Sequence, residues 1–293
     1  RIVAVDEKSV FYNDGKDLLA ASSETGEIIK NYGQGVTGRY NISALDKLVV
    51  SVYVPLAAID KESGKKLWSH AYYQNFSPVV KDKVVYLGGT TIEALNLDTG
   101  ELLWKVSPTE LSPKGGVVKT IMEKSGNLYL IFDFAENEKA FTRIVALDAK
   151  SGKTLWVDTR ERRSLILMPF DDQVWLASEK TVDKAILYFF TVLDTKTGKE
   201  IKSLSAPKGT GCWQVRATEN YIIWSRSNFI DRKTFAMSEQ FGVRSSCGVG
   251  PTPAYGLMNF SPHTCNCYVA LRGVYALSGG SKIANGSVLP QLI

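Results

Sequence analysis

Histidine is scarce in this sequence, with only His70 and His263 among 293 residues. A Ser-His-Asp hydrolase would need one of them, and the chain has no Gly-x-Ser-x-Gly nucleophile elbow. It also lacks the HExxH motif of zinc proteases, the P-loop and the dinucleotide-binding fingerprint. The sequence therefore gives no support to these hydrolytic, zinc-dependent or nucleotide-dependent activities.

Long apolar runs and charge of one sign are also lacking. The longest apolar candidate, residues 185–193, falls short of the roughly 18 residues that cross a bilayer, and it is typical of a strand. Lys and Arg total 35 against 30 Asp and Glu, and the excess of +5 is spread along the chain. We predict no transmembrane segment and no nucleic-acid partner.

Cysteine is limited to four residues, all in the last third: Cys212, Cys247, Cys265 and Cys267. Their spacing fits neither a CxxC metal site nor a CxxCH haem attachment, so we predict no metal site. We predict two disulfides and favour the pairs Cys247 with Cys265 and Cys212 with Cys267, although the sequence alone does not decide the connectivity. Disulfides predict a secreted, extracellular or periplasmic protein, and the alternative is a set of reduced buried thiols in a cytosolic one.

An internal repeat organises the remainder. Five segments that end in glycine align without gaps: residues 20–26, 58–64, 94–100, 146–152 and 192–198. Successive glycines are 36 to 52 residues apart. In each, an apolar run meets Asp, Asn or Ser and then a glycine, which is the chemistry of a tight hairpin. Three continue to a tryptophan four residues after the glycine, at Trp68, Trp104 and Trp156, which we interpret as packing between neighbouring sheets.

The repeat length predicts an all-β protein, a β-propeller of about seven, possibly eight, four-stranded antiparallel blades. A second strand pair precedes each turn, as in residues 77–87, and weaker copies lie at residues 221–237 and 255–277. We expect one propeller domain over residues 1–293. Regular repeats would fill residues 1–205, and irregular, cysteine-bearing blades residues 206–293.

The Asp-x-x-Ser/Thr-Gly-x-x-x-Trp units, clearest at residues 148–156, resemble the PQQ-like β-propeller repeat. That repeat occurs in quinoprotein dehydrogenases and in a bacterial outer-membrane assembly lipoprotein. Residues 206–293 resemble the cysteine-bearing final blades of certain bacterial PQQ-like repeat proteins. Likeness to the dehydrogenases would imply a quinone site, which in many of them includes a disulfide between adjacent cysteines. Because no Cys-Cys pair occurs here, we predict no bound quinone and no other cofactor.

Two function classes follow. We predict a binding or scaffold module with a protein partner or an acidic carbohydrate as ligand, using loops such as residues 108–116 and 136–140. The alternative is a carbohydrate-active enzyme, of polysaccharide lyase or glycosidase type, with catalytic residues in an axial cleft of the propeller. No catalytic residue can be chosen from the sequence, so enzymatic activity stays open.

The sequence also suggests one ligand site in the irregular final blades. Arg226, Arg244 and His263 lie where the repeat decays, and their side chains could bind a carboxylate or sulfate if they converge. The alternative is that the arginines pair with nearby carboxylates such as Asp231 and Glu239, and that His263 caps a turn.

Overall fold

The computed structural model describes residues 3–33, 41–44, 47–51, 56–71, 78–89, 91–114, 116–206, 215–224, 228–238, 250–254, 256–261 and 273–278. These residues form 27 strands and one short helix. Two compact units are distinguished by their contacts: Arg1–Leu176 with Thr191–Lys202, and Ala177–Phe190 with Ser203–Ile293. The single domain predicted over residues 1–293 stays a prediction.

The strands form antiparallel sheets of consecutive strands, which we number in chain order. Sheet 1 contains β1 (Val3–Val5), β2 (Ser9–Asn13), β3 (Leu18–Ser22) and β4 (Ile28–Asn31). Sheet 2 contains β5 (Asn41–Ala44), β6 (Lys47–Ser51), β7 (Leu56–Asp60) and β8 (Lys66–His70). Sheet 3 contains β9 (Val79–Lys81), β10 (Val84–Leu87), β11 (Ile92–Asn96) and β12 (Leu102–Val106).

Two sheets with long central strands follow. The helix α1 (Pro108–Leu111) precedes sheet 4, which contains β13 (Val117–Lys124), β14 (Asn127–Glu136), β15 (Lys139–Asp148) and β16 (Thr154–Arg160). Sheet 5 contains β17 (Arg163–Pro169), β18 (Gln173–Val182), β19 (Ala185–Asp194) and β20 (Glu200–Ala206).

The remaining strands are short. Sheet 6 contains β21 (Arg216–Ala217), β22 (Tyr221–Trp224), β23 (Asn228–Asp231) and β24 (Met237–Ser238). Sheet 7 has three described strands, β25 (Thr252–Ala254), β26 (Leu257–Phe260) and β27 (Tyr275–Ser278). The all-β, four-stranded repeat is confirmed, whereas the number of blades stays a prediction.

The repeated glycines close the turn between the third and fourth strand of sheets 1 to 5. Each has a positive φ, from 68° to 77°, as predicted for Gly26, Gly64, Gly100, Gly152 and Gly198. In sheet 4 the Gly152 N–H donates to the Asp148 carbonyl at 2.8 Å, and the Asp148 carboxylate accepts from the Ser151 N–H at 2.7 Å. The Asp/Asn/Ser and glycine of the repeat are thus turn residues.

The tryptophans join each sheet to the next within the first unit. The Trp104 indole N–H donates to the Ala149 carbonyl at 3.0 Å, in the turn of sheet 4. A Cβ built on Gly152 would lie 2.7 Å from the Trp104 ring. The same contact joins Trp68 to the turn of Gly100 and Trp156 to the turn of Gly198. We call this tryptophan-on-glycine contact the joint.

Two departures mark the ends of the series of joints. In sheet 1 the Tyr32 hydroxyl donates to the Lys61 carbonyl at 3.0 Å, the same turn position that the indoles use. In sheet 5, Lys202 stands where sheets 2 to 4 have the tryptophan. In the turn of sheet 6, Phe235 stands where the other turns have glycine, and its φ is 60°. The tryptophan and the glycine are therefore lost together.

Sheet 4 shows why its strands are apolar on both faces. On one face, Leu128, Leu130 and Phe132 pack with residues of sheet 3, and on the other, Tyr129 and Ile131 pack with residues of sheet 5. Successive side chains of a strand alternate between faces, so a strand between two sheets is buried on both.

Candidate functional site

The site predicted from sequence cannot be located. Arg226, Arg244 and His263 lie outside the described residues, as do Cys212, Cys247, Cys265 and Cys267, and as does Glu239. Their convergence and the two disulfides therefore stay predictions. Asp231 is described, and its carboxylate accepts from the backbone N–H groups of Lys233 and Thr234 at 2.9 and 2.7 Å. Asp231 thus caps its own turn.

A buried carboxylate links sheets 2 and 3 in the first unit. Glu93, 8% exposed, lies 2.8 Å from His70 Nε2 and 3.1 Å from Lys105 Nζ, and it accepts from the Thr91 hydroxyl at 2.7 Å. Burial alone would raise the pKa of Glu93, but the hydrogen bonds from Thr91, Lys105 and His70 outweigh it and lower the pKa below the usual value. Glu93 is therefore ionised at neutral pH. Its carboxylate binds the side chains of Thr91, His70 and Lys105.

This carboxylate should make the stability of the protein depend on pH. We expect Glu93→Gln to lower the free energy of unfolding by about 1–2 kcal/mol at pH 7, because it removes charge-assisted hydrogen bonds. Because folding lowers the pKa of the Glu93 carboxyl, the ionised group stabilises the folded protein at every pH above the unfolded-state pKa. This stabilisation is lost as pH falls through the folded-state pKa. The difference should therefore begin to shrink as pH falls below the unfolded-state pKa, about 4.3, and should vanish below the lower folded-state pKa. Urea unfolding of both proteins from pH 7 to pH 3 measures it, and a difference that does not change with pH contradicts this role.

A second polar cluster joins sheets 4 and 5 in the first unit. Asp133 accepts from the hydroxyls of Thr142 and Ser164 at 2.8 and 2.7 Å and pairs with Lys119 Nζ at 2.6 Å. Thr142 and Ser164 are buried. Asp133 thus connects a strand of sheet 4 to the start of sheet 5 through the hydroxyl of Ser164.

Acidic pairs in the first unit are likewise engaged. Asp158 and Glu200 both bind Arg160, at 2.6 and 2.5 Å. The described parts of the chain contain no group of three or more His, Cys, Asp or Glu side chains that could hold a metal ion. No helix in the described ranges is both long and apolar enough to span a bilayer.

The central hairpin of sheet 4 extends beyond the neighbouring strand β16. In sheet 4, β15 pairs with β14 from Lys139 to Asp148, but with β16 only from Thr142 onward. This ribbon carries exposed ion pairs, since Glu136 lies 2.6 Å from Lys114 and Lys139 lies 3.0 Å from Glu161. Its tip, Asn137 and Glu138, was predicted as a loop surface and is a tight turn with two positive φ angles.

The corresponding ribbon of sheet 5 exposes aliphatic side chains on either side of its turn, Asp183 and Lys184. Alignment of Asp148 with Asp194 places Val182 at the position of Glu136 and Ile186 at that of Ala140. Val182, Ile186 and Leu187 are 40%, 48% and 44% exposed. The repeat does not require an apolar residue at position 182, because its other copy has Glu136 there.

A concavity of about 470 Å³ lies beside this ribbon, wholly within the second unit. Its lining comes from the start of β19 and the end of β20: Lys184, Ala185, Ile186, Leu187, Tyr188, Phe189, Ser205 and Ala206. We call the ribbon residues 182–189 with this concavity the apolar ribbon site. Its size falls in the range of about 300–1,000 Å³ that is typical of binding sites.

Aromatic packing holds the base of the apolar ribbon site in place. The Trp224 ring contacts Tyr188 at a centroid distance of 5.6 Å, and it contacts Phe190 edge-on at 5.2 Å. Trp224 and Phe190 are buried. Offset and edge-on aromatic pairs favour one geometry, so the site is pre-formed rather than loose.

The family of the chain follows from its repeats. The family model described as outer membrane protein assembly factor BamB matches residues 53–240, which is more than half of the chain. The chain belongs to this PQQ-like propeller family. The match includes the joints at Trp68, Trp104 and Trp156 and the whole apolar ribbon site. No curated protein matches the sequence significantly.

Solved structures show the same fold at low sequence identity. The dihydro-heme d1 dehydrogenase NirN in complex with DHE has 15% identity and a TM-score of 0.55, over 81% of this chain and 56% of that one. The quinohemoprotein alcohol dehydrogenase from Comamonas testosteroni has 16% identity and a TM-score of 0.52, over 88% of this chain and 51% of that one. BamB from Moraxella catarrhalis has 15% identity and a TM-score of 0.42, over 78% of this chain and 81% of that one. This chain thus spans about half the length of the two dehydrogenases, and the likeness confirms the propeller fold alone.

Sequence reasoning missed the apolar ribbon site although a signal was present. Residues 185–193 were correctly predicted to form a strand, but Ala185, Ile186 and Leu187 at its start are exposed. Alignment of the two repeats shows part of this signal, because sheet 4 has Glu136 and Lys139 where sheet 5 has Val182 and Ala185.

Proposed function

We propose that this PQQ-like propeller is a binding or scaffold module that holds a protein partner at the apolar ribbon site. The observation that carries the proposal is the exposure of Val182, Ile186 and Leu187 beside a pre-formed concavity. Apolar groups that the fold does not need to expose are typical of protein-binding surfaces.

The compartment and the missing cofactor are part of the proposal. A periplasmic or extracellular location is supported by the family name, outer membrane protein assembly factor, and by the four cysteines. The lack of a Cys-Cys pair in the sequence supports a propeller without bound quinone. A quinone absorbance band in protein purified from its native source would contradict this part.

Site-specific photo-crosslinking tests the docking role. A photoreactive amino acid is placed at Ile186 and, as the matched control, at Ala140, the equivalent exposed position of sheet 4. We expect a discrete adduct from position 186 only, because an apolar partner surface would cover that ribbon and not the charged one.

A competition experiment decides whether the adduct is specific. Unlabelled wild-type protein should suppress it, whereas the Ile186→Asp, Leu187→Asp double variant should compete about 100-fold less well, since buried hot-spot contacts are worth a few kcal/mol. Both residues are exposed, so the melting temperature of the variant should stay near that of wild type. Equal adducts from positions 186 and 140 would overturn the docking role.

A further inference from the structure

The turns of sheets 4 and 5 carry lysine where other turns of the repeat carry acidic residues. In sheets 1 and 3 the turn residues, 22–27 and 96–101, include two acidic residues and no basic one. The equivalent residues of sheets 4 and 5, 148–153 and 194–199, each include two exposed lysines and one Asp that caps the turn. Because acidic side chains occupy the positions of these lysines elsewhere, the turn itself does not require lysine.

The joint between sheets 4 and 5 brings the lysines of the two turns together within the first unit. Trp156 donates its indole N–H to the carbonyl of the residue before Lys196, and its ring lies against the glycine before Lys199. Lys153 precedes Trp156 by three residues, which is about 10 Å along an extended chain. Both turns therefore present their lysines on one part of the surface. We call this surface the lysine patch, and its residues are Lys150, Lys153, Lys196 and Lys199.

Exposed aliphatic side chains adjoin the lysine patch. Leu155 lies two residues after Lys153, and the register of β15 with β16 skips it, so that it forms a β-bulge. Ile201 lies two residues after Lys199. Their side chains are 48% and 46% exposed. Sheets 1 to 5 all have an aliphatic residue at this position, but only sheets 4 and 5 combine it with two lysines in the turn.

We propose that the lysine patch binds the surface of an anionic lipid bilayer, with its ammonium groups at the lipid phosphates and with Leu155 and Ile201 among the upper parts of the acyl chains. A lysine beside an anionic bilayer strengthens binding about fivefold, and buried aliphatic area adds to this. The proposal goes beyond the proposed function, because it involves other residues and another class of partner.

The composition of this surface favours a bilayer over a protein. The residues that dominate protein interfaces are enriched in Trp, Tyr and Arg, and Leu is under-represented among them. Residues 148–157 and 194–203 contain no arginine, and their one tryptophan is buried in the joint. Lysine is a flexible point charge, whereas arginine grips a single carboxylate or phosphate through two parallel hydrogen bonds. Lysine with aliphatic neighbours therefore suits a continuous layer of negative charge above an apolar interior.

Co-sedimentation of the full chain with vesicles tests the proposal. Phosphatidylcholine vesicles with about 30% phosphatidylglycerol supply the anionic surface, and pure phosphatidylcholine vesicles are the neutral control. We expect binding to the anionic vesicles only, and weaker binding as the salt concentration rises, because salt screens charges at a surface. Soluble glycerol phosphate should not compete, because a single headgroup provides neither the charged layer nor the acyl chains.

Two fourfold charge reversals locate the binding surface. Replacing every lysine of the lysine patch by Glu should weaken binding to the anionic vesicles more than about 100-fold, since each lysine contributes about fivefold. The matched control changes the net charge equally at four other exposed lysines of the first unit and should keep most of the binding: Lys8→Glu, Lys16→Glu, Lys65→Glu and Lys66→Glu. Circular dichroism checks that both variants are folded.

A third variant tests the aliphatic contribution. Leu155→Ala with Ile201→Ala should weaken binding to the anionic vesicles about tenfold, because less aliphatic area enters the bilayer. The loss should persist at high salt, unlike the contribution of the lysines.

The outcomes separate this proposal from docking at the apolar ribbon site. Equal losses in the two charge reversals, or equal binding to neutral and anionic vesicles, would overturn it. So would a wild-type chain that binds no vesicles, and capture of a polyglutamate peptide by that chain would assign the lysines to an acidic protein instead. The adduct at position 186 reports on a protein partner in the absence of vesicles, so either proposal can fail without the other.

Discussion

Replacing Trp156 by alanine is expected to lower the free energy of unfolding by about 3–5 kcal/mol, the usual cost of removing a large buried aromatic side chain. Trp156 is 7% exposed, packs against Tyr129 at a centroid distance of 6.0 Å and donates its indole N–H to the Thr195 carbonyl at 2.8 Å. Truncation therefore leaves a cavity against the turn of Gly198 and a carbonyl without its donor.

Two further variants make this expectation specific to the joint. Trp156→Phe keeps much of the ring but loses the indole N–H, so about 1–2 kcal/mol should be lost. Leu155→Ala, at the preceding residue with 48% exposure, should cost about 0.5 kcal/mol or less. Urea unfolding followed by circular dichroism measures all three, and a Trp156→Ala protein as stable as Leu155→Ala would contradict the role of the joint.

The second large effect is expected from the partner of a tryptophan, Gly152. A Cβ at Gly152 would lie 2.7 Å from the Trp104 ring, and its φ of 72° is unfavourable for alanine. Gly126 has a similar φ of 79°, yet a Cβ there meets no atom within 4 Å. Gly126→Ala should therefore cost about 1–2 kcal/mol, and Gly152→Ala about 1–3 kcal/mol more, because only the latter also overpacks the joint.

A double-mutant cycle isolates the steric part of this difference. In a Trp104→Ala background the clash is absent, so Gly152→Ala should cost no more than Gly126→Ala does. Thermal and urea unfolding of the four proteins gives the coupling free energy. A coupling near zero would show that the glycine serves the turn alone.

The regular part of the fold could be predicted because local chemistry and the repeat agree. A glycine after Asp, Asn or Ser predicts a turn wherever it occurs, and repetition predicts that the turns are equivalent. The sequence did not predict that Gly152 must also leave room for Trp104, because that contact joins residues 48 positions apart. Tyr32 was missed for a similar reason, since it reaches the same turn position from just past the end of β4, two residues beyond the position that the tryptophans occupy.

The polar sites show the limit of sequence reasoning more sharply. Glu93 occupies the position of Val145 in the next repeat, so an unusual residue was visible, but its partners His70 and Lys105 come from different strands. The exposure of Ile186 was not predicted, because no local pattern in the sequence states which side chains of a long strand stay uncovered. Arg226, Arg244 and His263 were chosen because the repeat decays there, and their arrangement stays a prediction.

Sheets 3 and 4 each carry both halves of the joint, a glycine that accepts the preceding tryptophan and a tryptophan for the next glycine. Such a sheet is a module with matching ends: a copy inserted in tandem would meet a compatible neighbour on either side. A gene encoding it could gain or lose a repeat by unequal recombination without any new contact having to evolve. Sheet 5 cannot be exchanged in this way, because Lys202 replaces the tryptophan and leaves it with one matching end.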